Sequence, residues 1–129
     1  MANQENRKFL GVDWGMARIG LALGDSETGL ATPYKTIASG KEVLDVVLEE
    51  GIDEIIVGKP TKMSGEEKYL DEFNDFVEDL KNDLAIPVIL VDERLSSKAA
   101  DALIGTKKTK ASRDEISAMI ILQNYLDRI

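Results

Sequence analysis

Two uninterrupted apolar runs, Glu54-Ile55-Ile56-Val57-Gly58 and Pro87-Val88-Ile89-Leu90-Val91, flank a stretch whose apolar residues recur every three or four positions: Tyr69, Leu70, Phe73, Phe76, Val77 and Leu80. Side chains on a strand alternate between faces, so a run that is apolar at every position has both faces covered. Two such strands joined through a helix form a parallel pair with the helix laid across the sheet. This segment sets the architecture, and the rest of the chain has to supply further strands and the cover for the second face.

The N-terminal third reads as antiparallel. Phe9-Leu10-Gly11-Val12 is one short strand, and Ile19, Leu21 and Leu23 alternate along a second, with a tight turn through Trp14-Gly15-Met16-Ala17 between them. A third strand over 31–37 is interrupted near Pro33, which suits a sheet edge. From Lys41 the period becomes helical, with Val43, Leu44, Val47 and Leu48 on one face and Gly51 as C-terminal cap. A last helix runs from about Arg113 to Asp127, with Ser117, Ala118, Ile121, Leu122 and Tyr125 on one face and Asp114 on that same inward side. Three helix starts carry a Ser followed three residues later by Glu: Ser39 with Glu42, Ser64 with Glu67, and Ser112 with Glu115. Each pair is expected to cap its helix reciprocally. The order strand, strand, strand, helix, strand, helix, strand, helix, helix predicts an α/β fold: a five-stranded mixed sheet, an antiparallel meander followed by parallel strands, with helices on both faces. One domain over 1–129 is expected, with 1–7 disordered and mobile loops at 59–65 and 105–111 beside the strand ends.

The chain has no Cys and no His. Disulfides, thiolate metal sites, a Cys nucleophile and His-based triads are therefore excluded, as is the commonest zinc ligand. The polar start, Met1 to Lys8, leads into a short apolar run and fits neither a signal peptide nor a membrane span, so a cytoplasmic protein without membrane contact is expected. A net charge of −8 argues against a surface that binds nucleic acid everywhere, but Lys107, Lys108 and Lys110, with Arg113 behind, form a local basic cluster.

Three acids fall where core elements end. Asp13 closes the first strand in Gly11-Val12-Asp13-Trp14-Gly15, Glu93 follows the last strand in Val91-Asp92-Glu93-Arg94, and Asp114 opens the last helix. Each has a structural reading. Asp13 between glycines orders a turn, Glu93 beside Arg94 makes an exposed ion pair, and Asp114 meets the helix dipole. Jointly they point to chemistry, because Ser112 and Glu115 already serve as the cap and an acid turned toward a sheet requires a partner. Carboxylates without His or Cys suit Mg²⁺ or Mn²⁺. Two such ions about 4 Å apart activate a water and stabilise the leaving oxygen in phosphodiester hydrolysis, with Asp13 as bridging ligand and Glu93 and Asp114 completing the shells. Arg18, Lys59, Arg94, Lys107, Lys108 and Lys110 are the candidate phosphate contacts. Lys62 and Lys98 read as ordinary solubilising charge, and Trp14 reads as core packing rather than base stacking.

Gly11-Val12-Asp13-Trp14-Gly15 with Arg18-Ile19-Gly20, Val57-Gly58-Lys59-Pro60 with Ser64-Gly65, Asp92-Glu93-Arg94-Leu95-Ser96-Ser97, and Asp114 ahead of Ile121-Leu122-Gln123-Asn124-Tyr125-Leu126-Asp127 together resemble the YqgF (RuvX) family, in order and over nearly the whole chain. That resemblance implies an RNase H-like fold and a metal-dependent endonuclease for maturation of the small-subunit ribosomal RNA precursor, related to Holliday-junction resolvases. It also implies Asp13, Glu93 and Asp114 as catalytic positions. Lys59 stands where Leu is common and Ser97 where Thr is common, and Asp92 competes with Glu93 as a ligand. Competing readings are a resolvase acting on branched DNA, a phosphotransferase with an Asp-x-Gly phosphate turn, for which a second such hairpin and an adenosine pocket are missing, and a non-catalytic RNA- or ribosome-associated domain. A monomer or a homodimer is expected, a two-armed junction substrate favouring a symmetric dimer.

Overall fold

A computed structural model describes residues 6–59, 67–92 and 113–129. Its elements are β1 (Lys8–Trp14), β2 (Ile19–Asp25), β3 (Ala31–Ile37), α1 (Lys41–Glu50), β4 (Glu54–Lys59), α2 (Glu67–Asp83), β5 (Val88–Asp92) and α3 (Arg113–Leu126). The five strands form one sheet in the order β3-β2-β1-β4-β5. β1 pairs antiparallel with β2, and β2 with β3, while β1–β4 and β4–β5 are parallel. This is the mixed sheet that the sequence predicts. Residues 93–112, which contain the expected additional helix, the Gly105–Ala111 loop and Ser112, lie outside the described residues, as do 60–66 with Ser64.

Alternation along β1 divides the core. Leu10, Val12 and Trp14 pack on one face with Val43, Val46 and Val47 of α1 and with Phe73, Phe76, Val77 and Leu80 of α2. Phe9 packs on the other face with Ala118, Ile121, Leu122 and Leu126 of α3. Trp14 is buried, with its ring edge-on to Phe73 at 5.7 Å between centroids, so it is a core residue as expected.

Four expectations are corrected. α1 is turned so that Val43, Val46 and Val47 face the sheet, which leaves Leu48 80% exposed; both stripes share Val43 and Val47, so spacing alone did not separate them. β5 is an edge strand of intermediate burial with Leu90 partly exposed, rather than a strand fully covered on both faces. The Ser39–Glu42 reciprocal cap does not form: α1 begins at Gly40 without a side-chain cap, and the Glu42 carboxylate accepts from the Ala38 N–H at 3.0 Å. Finally, Asn6 and Arg7, inside the segment expected to be disordered, are tied down. The Arg7 N–H donates to Ser26 Oγ at 2.9 Å, Asn6 Oδ1 accepts from the Glu27 N–H at 3.0 Å, and the Arg7 guanidinium pairs with the buried Glu54. Two other local readings stand: Gly51 ends α1 in the left-handed region (φ 64°, ψ 48°), and β3 is an edge strand whose register shifts where Pro33 and Lys35 face Ala22 and Leu21.

Candidate active site

The position of α3 on the sheet decides where Asp114 lies. Glycines on β1 and β2 allow the helix to approach very closely. A Cβ on Gly11 would stand 2.7 Å from Leu122 Cβ, and one on Gly20 would stand 2.1 Å from the Asp114 carbonyl oxygen and 2.8 Å from Asp114 Cβ. The first turn of α3 thus rests on Gly20, with nothing between. In the β1–β2 ladder Gly20 is the direct partner of Asp13. Asp13 follows the alternation of Phe9 and Gly11 onto the α3 face. Directly opposed residues on one sheet face are near neighbours, so Asp13 and Asp114 both border Gly20, one placed by the end of a strand and the other by the start of a helix.

Both acids are partly shielded. Asp13 is half-buried, and the Asp114 side chain retains 24% of its exposure. Arg18, from the β1–β2 turn, donates through Nε to Asp114 Oδ2 at 2.8 Å, while its own side chain is 70% exposed. The helix start is held from a second direction by Thr36 of β3, whose hydroxyl donates to Glu115 Oε2 at 2.9 Å. Further along α3, the Gln123 amide accepts from the Ala31 N–H at 2.8 Å and donates to the Gly29 carbonyl at 2.8 Å.

The sequence-predicted site residues fall partly inside the described residues. Arg18 pairs with Asp114, and Asp13 and Asp114 both border Gly20. Glu93, Arg94, Lys107, Lys108 and Lys110 lie outside the described residues, as do Lys62 and Lys98, and among the described residues no three acids form a metal-sized group. Lys59 and Asp92 are register partners at the ends of β4 and β5. Lys59 follows Ile55 and Val57, and Asp92 follows Val88, onto the α1–α2 face, away from Asp13 and Asp114. Ile89 and Val91, of the opposite parity to Asp92, pack toward α3. A cleft of about 360 Å³ also opens on the α1–α2 face, lined by Trp14, Met16, Leu44, Phe76 and the acids Glu72, Asp75 and Asp79. Its walls carry none of the α3-face carboxylates.

Sequence reasoning missed two positioning residues, Gly20 and Thr36. Gly20 carried a signal, a glycine inside an apolar strand, which often marks close backbone approach. Thr36 carried none.

A five-stranded sheet of this order with helices on both faces is the RNase H-like architecture of the junction resolvases. Two solved structures share it: Thermus thermophilus RuvC in complex with a Holliday junction substrate (TM-score 0.64, 13% identity, 95% of this chain and 94% of that one) and the fowlpox virus resolvase with Holliday junction DNA (TM-score 0.57, 14% identity, 94% and 97%). Over residues 7–128 the chain matches the family described as "RuvX: Holliday junction resolvase", and it belongs to that family. Relatives named "Putative pre-16S rRNA nuclease" include one from Sulfurihydrogenibium sp., 39% identical over 95% of this chain and 91% of the relative, and one from Leifsonia xyli, 40% identical over 92% and 84%.

Proposed function

We propose that this chain is a divalent-metal-dependent endonuclease that hydrolyses phosphodiester bonds in structured nucleic acid, with the small-subunit ribosomal RNA precursor as its substrate. The observation that carries this reading is that Asp13 and Asp114 both border Gly20. The family membership and the naming of the relatives support the substrate class.

The donor set fits a hard cation. Carboxylates from two elements border Gly20, and with neither His nor Cys anywhere in the chain such a site is suited to Mg²⁺ or Mn²⁺ rather than to a soft metal. Asp13 and Asp114 would hold the ion, with Glu93 as the third ligand. Bound there, it supplies an activated water and neutralises charge on the leaving oxygen. The protein's own contribution is placement. β1 and α3 fix two carboxylates on a rigid sheet, which lowers the reorganisation needed when charge develops. Arg18 brings a guanidinium whose planar fork matches a phosphate. The basic cluster at Lys107, Lys108 and Lys110 supplies the sequence-independent hold on the backbone. Among the described residues no helix is long and apolar enough to cross a membrane.

The test is cleavage of a small-subunit rRNA precursor fragment and of a four-way DNA junction, each with Mg²⁺ and with EDTA, by wild type and Asp13→Asn. Metal-dependent cleavage of the precursor, lost in a folded Asp13→Asn, is expected. Cleavage that persists in excess EDTA would falsify the metal mechanism, and exclusive cleavage of the junction would move the substrate to branched DNA.

A further inference from the structure

We propose that Arg18 is a built-in counter-cation for Asp114 that a divalent ion displaces, and that the released guanidinium is then taken up by the substrate's phosphate. This rests on the nuclease reading and deepens it by giving one residue two successive partners.

The geometry is asymmetric in a way that suits an exchange. Asp114 is fixed, with its backbone seated on Gly20 at a distance that admits no side chain. Arg18 is the movable partner. It springs from the exposed turn between β1 and β2, remains 70% exposed, and touches Asp114 through Nε alone among the described residues. A guanidinium has five N–H donors, and the contact with Asp114 Oδ2 engages one of them. A divalent ion held by Asp114 and the Arg18 guanidinium would share one carboxylate. With both cations close to it they repel each other, and the one on a flexible side chain yields. The displaced fork is then free for bidentate contact with a phosphate, the ligand whose geometry it matches.

An ordinary structural ion pair and an exchangeable one differ in sign. If Arg18 merely held Asp114 in place, removing it would leave metal binding unchanged or weaken it. If it competes, removing it tightens metal binding and at the same time weakens the grip on nucleic acid.

The experiment is Mn²⁺ titration without nucleic acid, read by calorimetry and by the electron paramagnetic resonance of free Mn²⁺, for wild type, Arg18→Gln, Asp114→Asn and the double variant. Arg18→Gln is expected to bind Mn²⁺ roughly fivefold to tenfold more tightly, corresponding to removal of one nearby charge at a partly exposed site. The gain should vanish on the Asp114→Asn background. Affinity in Arg18→Gln that is equal to or below wild type, with native circular dichroism and melting temperature, overturns the exchange while leaving the nuclease reading intact. Asp114→Asn that binds Mn²⁺ as wild type does overturns the metal site itself, and with it both proposals. A second readout covers the other half of the exchange. For an RNA hairpin bound in Ca²⁺, Arg18→Gln should reduce the salt slope by about one phosphate contact, with no difference in EDTA. An unchanged slope in Ca²⁺ overturns the hand-over to phosphate.

Discussion

Gly20 lies directly beneath the backbone of Asp114, close enough that its missing side chain is what lets the last helix sit on the sheet. The same glycine is the ladder partner of Asp13. One position without a Cβ therefore determines how near two candidate metal ligands come. In Gly20→Ala the new methyl would need the space of the Asp114 carbonyl oxygen. Overpacking of this kind costs about 1–3 kcal/mol, and since the obstacle is helix backbone the upper part of that range is expected. Urea denaturation should show the loss, and Mn²⁺ affinity should fall with it, because α3 would lift away from β2.

At the opposite end of the sheet, Glu54 is buried between the Arg7 guanidinium and the Tyr125 hydroxyl, which donates to Glu54 Oε1 at 3.4 Å. Arg7→Ala leaves that carboxylate without its counter-ion. A loss of roughly 2–3 kcal/mol is expected, below the 3–5 kcal/mol of a fully buried pair because Arg7 is half exposed. Tyr125→Phe removes one long hydrogen bond and should cost about 1 kcal/mol or less. Equal losses in the two variants would contradict this ranking.

The Thr28 backbone N–H, and after it the Thr28 hydroxyl, hold the Asp25 carboxyl below its ordinary value of 3.8. A lowered pKa in the folded state means that folding favours the ionised form. The contribution is complete above the unfolded value and is lost as pH falls through the folded one. Asp25→Ala should therefore melt slightly below wild type near neutral pH, and the two melting temperatures should converge as the solution is acidified below about pH 4. A gap that persists in strong acid would assign the effect to packing instead.

The basic cluster provides a prediction on binding. Lys107→Ala with Lys108→Ala should weaken affinity for nucleic acid and flatten its salt dependence, by close to two phosphate contacts if both lysines meet the backbone. Affinity measured from 50 to 200 mM salt decides it, and an unchanged slope would place the binding face elsewhere.

Much of this architecture is legible in the sequence because it follows from periodicity. β1, β2 and β4 announce themselves by unbroken or alternating apolar residues, and Pro33 marks β3 as an edge. Misreadings occur where periodicity is degenerate or the deciding partner is remote. Val43 and Val47 belong to two overlapping helical stripes, and only the sheet selects the one that contains Val46 over the one that contains Leu48. The run at 87–91 reads as interior because all its residues are apolar, yet β5 ends the sheet. Glu42 satisfies a local rule on paper and finds the neighbouring Ala38 N–H instead. For the site, Asp13 and Asp114 are visible as acids at element ends. Their common border is Gly20, and its role is set by a helix far along the chain.

The two margins of the sheet are built differently. At β3, the Thr36 hydroxyl and the Gln123 amide rivet α3 at two levels, so length changes in that strand would drag Asp114 with them. At β5 the margin keeps Leu90 partly open. A change of chain length is therefore felt at Asp114 when it falls in β3, through the helix which that strand holds.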